Sequence, residues 1–325
     1  LLVLTIIHKP VLLKETIQAL DVQPGKNYVD CTVGGGGHAA AILEKASPGG
    51  KLLGIDADPE AIRVAAIRLN QFKGSIILVN DNFANLAKIC RRYSFSSIHG
   101  ILIDLGLSTY QLEGTRGFSF LRDSPLDMRF NPSQTLTAAD IVNKSSEIEL
   151  ALILREYGEE KFAAKIASHI VRERPINTTL QLARVVTEAI GGKRGRINPA
   201  TRTFQALRIA VNRELEAFED TLTQTLSVLS GGGRLAVISY HSLEDRIVKH
   251  FIQREAKDCI CPPGVPVCHC NHKASLKIVN KKVIVPSPQE IRDNPRSRSA
   301  RMRIAEKIAS QKQYPASDLL KFSKN

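Results

Sequence analysis

The residues able to do chemistry fall at four places in the first third of the chain. Asp30-Cys31-Thr32-Val33-Gly34-Gly35-Gly36-Gly37-His38 joins a short apolar run to a stretch of good helix formers. Glycines admit positive φ and close approach of a ligand, and a helix start offers unpaired amides. Nothing in an ordinary turn demands four glycines in succession, so the loop reads as a ligand cradle. It is not the dinucleotide fingerprint, because Gly34 and Gly36 would need a third glycine where Ala39 stands. A carboxylate at Asp30 would repel a pyrophosphate and attract a cationic methionine moiety. Asp56 closes the next apolar run, where it can accept both hydroxyls of a ribose. Asp58-Pro59 opens a helix, and Asp58 can equally be no more than its cap. Asn80-Asp81-Asn82-Phe83 falls where an adenine would lie, with Asp81 a helix cap on the competing reading. Asp104-Leu105-Gly106-Leu107-Ser108 ends a fourth run. A nicotinamide dehydrogenase would share several of these acids, but it more often shows separated glycines and a hydride-transfer constellation. The pattern implies a cofactor that is both adenosine and cation, of the kind S-adenosylmethionine provides.

A second cluster lies far from the first. Cys259, Cys261, Cys268 and Cys270 crowd into twelve residues, whereas Cys31 and Cys90 sit in or beside apolar stretches and read as buried thiols. Four thiolates can enclose a structural zinc, but one residue inside each pair is tighter than the customary two to four, so packed free thiols remain the alternative. With no export signal expected, disulfides are not required.

The elements that must position these groups follow from periodicity. Apolar runs at Asn27–Thr32, Lys51–Asp56, Ser75–Asn80 and Gly100–Leu105 alternate with helical patterns at 38–46, 60–69 and 82–93, which predicts a mostly parallel sheet covered on both faces. Gln111–Asn131 reads as a long ordered loop. Helical periodicity alone then continues through 137–143, 146–156, 159–172 and 178–190 to a basic breaker at 191–196. Asn198-Pro199 opens a helix expected to run through 203–229 until Gly231-Gly232-Gly233 stops it. Arg234–Tyr240 is a further buried strand, 243–255 a further helix, and 276–285 with 300–304 can supply two last strands. The predicted fold class is α/β: a seven-stranded Rossmann-like sheet carrying an inserted all-helical domain. The expected divisions are 1–112, first part of the sheet domain; 113–203, helical insert for substrate recognition; 204–310, second part; and 311–325, a basic tail.

Charge narrows the partner. Lysine and arginine number 45 against 32 acids, a formal +13. Residues 273–325 hold 13 basic and four acidic side chains and so supply +9 of that total. A one-signed end suits the phosphates of a nucleic acid better than it suits a merely solvated tail. No apolar run approaches the roughly 20 residues that cross a bilayer. Leu1–Ile7 lacks the flanks of a secretory signal and reads as a short extension, so a cytoplasmic protein without a membrane partner is expected. A homodimer is compatible with the sequence.

Long blocks from His8 to about Ile308 resemble one family, the bacterial ribosomal RNA small subunit methyltransferase H or MraW family. They include His8-Lys9-Pro10-Val11-Leu12, the glycine loop, Asp56-Ala57-Asp58-Pro59, Asp104–Leu112, Arg116-Gly117-Phe118-Ser119-Phe120, Pro125–Arg129, Asn198–Arg202, Phe204–Asn212, Ile238–Arg246 and Asn294–Ala300. Thr109-Tyr110 replaces a more usual serine and small or proline residue, and Tyr240 stands where phenylalanine is common. The resemblance implies the class I methyltransferase fold. It also implies methylation by S-adenosylmethionine of the exocyclic N4 of a cytidine in the decoding region of small-subunit ribosomal RNA, with that RNA or the assembled small subunit as partner. Cofactor contacts would fall on Gly36, Gly37, His38, Asp56, Phe83, Asp104 and Gln111, beside Asp30 and Gly34 from the loop itself. A cytosine amine is a poor nucleophile, so its site must orient it and accept its protons. Asp104 to Ser108 would form the floor, with Asp127 and His241 as further polar candidates. Asp127 and Arg129 can hold the cytosine edge or each other; His241 can touch substrate or organise the helix start at Ser242. Asn198, Arg202, Arg208 and Ser242 complete the expected substrate contacts, one arginine binding phosphate while another pairs with an acid. Methylation of DNA or another RNA, and a ribosome-assembly binding module with a vestigial pocket, are the competing readings.

Overall fold

A computed structural model describes residues 9–192, 198–264 and 267–309. The expected extension at 1–7, His8, most of the basic breaker and the basic tail lie outside the described residues.

Seven strands form one sheet: β1 (Asn27–Asp30), β2 (Lys51–Asp56), β3 (Ile76–Asn80), β4 (Ile98–Asp104), β5 (Leu229–Ser239), β6 (Leu276–Ile278) and β7 (Arg301–Lys307). Their order is β3-β2-β1-β4-β5-β7-β6. The first five are parallel, and β7 runs antiparallel to both β5 and β6. This is the seven-stranded Rossmann-like sheet that the sequence predicts. The chain winds outward one way from β1 and the other way from β4, so the crevice between those two strand ends is the topological switch point where ligands bind.

Strand alternation builds a core on each face. Ile101, Ile103, Leu235 and Val237 bury on one side with Phe218, Val248 and both isolated cysteines, Cys31 and Cys90. Leu102, Ala236 and Ile238 bury on the other with Tyr28, Ile42 and Leu20. Between β4 and β5 the chain leaves the sheet, and the helices Ala138–Lys144, Glu147–Gly158, Ala163–Arg172, Thr179–Ala189 and Thr201–Asn212 enclose a third core. Three of their starts are capping boxes, Thr137 with Asp140, Ser146 with Glu149 and Thr178 with Gln181, a signal carried entirely by neighbours in sequence.

Three expectations needed correction. The single helix expected over 203–229 is two, Thr201–Asn212 and Glu214–Val228, because Arg213 takes a left-handed φ of 49°. The break is where the chain changes cores: Phe204 and Leu207 belong to the helical cluster, Phe218 and Leu222 to the sheet. Gly231-Gly232-Gly233 does not end a helix but lies within β5, whose pairing jumps from Leu229–Ile98 to Arg234–Gly100. The strand expected over 276–285 shortens to β6 and an isolated bridge from Ile284 to Met302.

The glycine loop also has structural demands that the sequence did not disclose. Gly34 and Gly36 take φ of 50° and 76°, and a Cβ on Gly37 would fall 2.4 Å from the Pro10 ring. Of the four, only Gly35 has neither a positive φ nor a close contact, its nearest neighbour being the Tyr110 ring at 3.5 Å.

Candidate active site

The carboxyl ends of the parallel strands deliver Asp30, Asp56, Asn80 and Asp104 to one edge of the sheet. Asp30 is buried beneath the glycine loop, and its Oδ1 accepts from Thr32 N at 3.1 Å. Burial, reinforced by Asp104 and Asp56, pushes its carboxyl up to about 7. Asp56 braces the loop instead: Oδ2 accepts from Gly34 N and Oδ1 from Asp58 N, both at 2.9 Å. Burial raises it too, to about 6, against the pull of those amides.

A cleft of about 740 Å³ opens over the β1–β4 junction. Its near wall is Thr32 to Gly35, Gly37 and His38; its floor is Asp104 to Ser108; its far wall comes from the helical insert and from Tyr240 and His241, just after β5. The Asp104 carboxylate stands at the centre. Oδ1 accepts the Tyr240 hydroxyl at 2.9 Å and, more weakly, Gly106 N at 3.3 Å. Burial and the neighbouring Asp104 hold the Tyr240 phenol well above its ordinary pKa, so it stays protonated and donates. Gly106 must be glycine here, since a Cβ would lie 2.8 Å from the tyrosine ring. His38 Nε2 lies 2.9 Å from Val11 O. A carbonyl has no proton to give, so Nε2 carries it and Nδ1 is the atom facing Asp104 Oδ2 at 3.6 Å.

Of the residues expected at the site, Gly34, Gly37, His38, Asp104, Ser108, Arg208 and His241 line this cleft. Ser108 is also half of a capping box: its Oγ accepts from Gln111 N and Gln111 Oε1 accepts from Ser108 N. Gln111 is buried, and its Nε2 donates to Asp58. Asp58 both caps its helix and receives Arg116, so the cap reading of Asp58 is right but incomplete. His241 caps the helix Ser242–Glu255, with Nδ1 accepting weakly from Glu244 N at 3.4 Å. Its buried Nε2 lies 2.9 Å from Glu244 Oε1 without the alignment of a hydrogen bond. Arg208 pairs with Glu214 at 2.9 Å across the helix break.

Other expected residues stand elsewhere. Gly36, Asp56, Phe83 and Asn198 are not among the cleft's lining residues; Phe83 packs against the sheet core and Asn198 Oδ1 accepts from Ala200 N. Asp127 and Arg129 hold each other, with Nε–Oδ1 at 2.7 Å and Nη2–Oδ2 at 2.9 Å, and Arg129 Nη1 donates onward to Pro132 O and Gln134 O. Burial opposes it, yet these bonds keep Asp127 below its ordinary pKa, the mark of a loop clamp. Ser242 and Arg202 meet at Glu159, which also receives Arg246 at 2.8 Å.

Sequence reasoning missed the aromatic wall. Phe118, Phe120 and Phe204 line the cleft opposite the strand tips, Phe120 meeting Phe204 edge-on with centroids 5.0 Å apart. The only signal was their place inside family-like blocks, for nothing local tells an aromatic facing a cleft from one facing a core. Arg296 was missed likewise: it lines the cleft and donates to Thr109 Oγ1 at 2.8 Å.

Comparison with known proteins agrees with this architecture. The family model described as the MraW methylase family matches residues 5–308. The chain belongs to the MraW methylase family. A ribosomal RNA small subunit methyltransferase H of Dehalococcoides mccartyi is 60% identical over 302 residues, covering 93% of this chain and 86% of that one. Proteins of the same name from Thermomicrobium roseum and Symbiobacterium thermophilum are 51% and 50% identical, each across 93% of this chain and 94% and 96% of their own. For an MraW-family methylase, the cleft joining the glycine loop to Asp104 and the aromatic wall is the candidate active site. Among the described residues no helix is long and apolar enough to cross a membrane.

Proposed function

We propose that this MraW-family methylase transfers a methyl group from S-adenosylmethionine to the exocyclic N4 of a cytidine in the decoding region of small-subunit ribosomal RNA, in the cytoplasm, on the RNA or the assembled subunit. The observation that carries the reading is Asp104, a carboxylate at the switch point with the glycine loop on one side and an aromatic wall on the other.

The residues suit the cofactor. Burial raises Asp30 and Asp56, with Asp104 and Asp56 adding to the first and Asp58 to the second, so the acids at the edge of the sheet favour a cation and oppose a pyrophosphate. S-adenosylmethionine, when bound, supplies an electrophilic methyl group on a sulfonium. We assign Asp56 to the ribose, Phe83 to the adenine edge, and Asp30 with Gly34, Gly36, Gly37, His38 and Gln111 to the methionine end. The acceptor amine needs a flat slot and somewhere for its protons to point. Phe120 and Phe204, packed edge-on, offer an aromatic wall for the base to lie against, and Asp104, fixed by Tyr240, accepts the protons. Ser108 and His241 shape the rim, while Asp127 and Arg129 keep the loop beside it in place.

A second groove, about 570 Å³, shares Tyr240, His241 and Ser299 with the cleft and carries Arg246, Lys249, His250, Arg298 and Arg301. It gives an RNA strand a cationic approach. We assign residues 113–203 to substrate recognition, with Asn198, Arg202, Arg208, Arg129 and Ser242 at or behind the contact surface. Labelled methyl transfer to unmodified small subunits, naked ribosomal RNA and DNA, followed by digestion to nucleosides, tests the reading. Label on cytidine N4 from a small-subunit substrate is expected. Label on a ring carbon or a ribose, or transfer to DNA alone, refutes it.

A further inference from the structure

None of the described residues of the excursion between the helix Ser242–Glu255 and β6 lines the methyl-transfer cleft. The excursion is also without a core. From Ala256 to Ser275 no described residue is buried, and Ile260 and Val267 are 43% and 62% exposed. Hydrophobic burial therefore does not account for a compact loop here. Its base is pinned, with Ser275 N donating to Glu255 O at 2.8 Å and His272 Nε2 donating to Arg254 O at 3.1 Å. Beyond that base the feature that draws the chain together is the convergence of four sulfurs.

The Sγ atoms of Cys259, Cys261, Cys268 and Cys270 all lie within 4.8 Å of one another. Cys268 and Cys270 are 3.5 Å apart, Cys270 and Cys259 3.8 Å. Those are far too long for disulfides, whose sulfurs sit about 2.05 Å apart. A zinc–sulfur bond of about 2.3 Å in a tetrahedron requires sulfurs about 3.8 Å apart. Backbone amides point at the sulfurs as they do around metal thiolates: Ile260 N to Cys270 Sγ and Cys261 N to Cys259 Sγ, both 3.4 Å, and His269 N to Cys261 Sγ at 3.5 Å.

We infer that Cys259, Cys261, Cys268 and Cys270 form a structural zinc site that holds the 259–270 loop in one shape, separate from the methyl-transfer site. The one-residue spacing within each pair is no obstacle, because the two pairs approach from opposite ends of the loop and each supplies two corners of the tetrahedron. All four corners are protein sulfur, which closes the site to water and substrate and marks the metal as structural. Each thiol loses its proton on binding, so the site is complete only as a tetrathiolate, and its affinity is folding energy for this loop.

The test is elemental analysis of the full chain purified under reducing conditions without chelator. Near-stoichiometric zinc is expected, released on titrating four thiols with an organomercurial, and lost in both Cys259→Ser and Cys270→Ser. Circular dichroism of the two variants should keep the sheet and helix signal of the parent, which separates loss of the metal from loss of the fold. As a second measurement, cobalt added to metal-stripped protein should give the visible absorption of a tetrahedral tetrathiolate. Protein that carries no zinc and gives no such cobalt spectrum overturns the proposal, as does stoichiometric iron in place of zinc, or zinc that survives both substitutions.

Discussion

Tyr240 donates its hydroxyl to Asp104 across 136 positions of sequence, at 2.9 Å, and this bond fixes the carboxylate at the floor of the cleft. Tyr240→Phe keeps the ring that packs on Gly106 and removes only the donor. A hydrogen bond to a charged group contributes about 1.5–3 kcal/mol. The expected outcome is a loss of about 1.5–3 kcal/mol in urea unfolding and a several-fold fall in kcat, with cofactor affinity nearly unchanged. Asp104→Asn should by contrast abolish transfer. Equal damage from the two substitutions in single-turnover assays would show that the phenol itself takes part in the reaction.

The raised acids give a pH dependence of definite sign. Asp30 and Asp56 titrate near 7 and 6 in the folded chain, above their unfolded values. Their contribution to stability is therefore complete below the unfolded carboxylate range and is lost as pH rises through about 6 to 7. A cationic cofactor reverses the preference, because it binds the ionised forms. Affinity for S-adenosylmethionine should rise between pH 5.5 and 8, by at most roughly tenfold per unit for each proton displaced. Calorimetry in buffers of different ionisation enthalpy should detect that proton leaving. In Asp30→Asn the slope should flatten; a slope unchanged from the parent would remove Asp30 from the binding site.

Asn212, the last residue of the helix Thr201–Asn212, ties that helix to the loop beside the cleft. Its Nδ2 donates to Met128 O at 2.7 Å, its Oδ1 accepts from Phe130 N at 2.8 Å, and the side chain is buried. Met128 sits at a φ of 59°, a conformation that needs such support. Asn212→Ala leaves an amide and a carbonyl unpaired, at about 1–3 kcal/mol each. A loss of about 2–4 kcal/mol is expected in denaturant unfolding, with protease sensitivity appearing first at 125–135.

Lys249 and Arg298 lie exposed in the second groove, and neither has an ion-pair partner among the described residues. Removing both charges in Lys249→Ala/Arg298→Ala should weaken RNA binding and flatten its dependence on log salt by about 1.4–1.8, the yield of two phosphate contacts. Cofactor affinity should not move. Filter binding across a salt series reads the slope directly, and a slope equal to the parent's would take the RNA path off this face.

The salt bridge at Glu159 decides less than its place between two elements suggests. Arg246 and Glu159 are 53% and 40% exposed, and pairs so placed contribute at most about 1 kcal/mol. Glu159→Gln should leave the unfolding midpoint within the small range of a surface substitution. A large drop in melting temperature would show that the contact between the insert and the helix Ser242–Glu255 depends on this residue.

Local patterns wrote much of this protein into its sequence. Strands β1 to β5, the acids at their ends and the capping boxes at Thr137, Ser146 and Thr178 follow from residues a few positions apart, because alternation, helical period and caps act between near neighbours. The glycine loop showed itself too, though Gly37 is glycine for want of room beside Pro10 rather than for a ligand. What only the tertiary structure decided are the meetings of distant segments. The seating of Tyr240 on Asp104, the pairing of Arg116 with Asp58, the wall of Phe120 and Phe204, and the turn at Arg213 depend on which core each face enters. No neighbour in sequence carries that information; it arises when the sheet and the helical cluster close-pack, each burying the side chains the other leaves free.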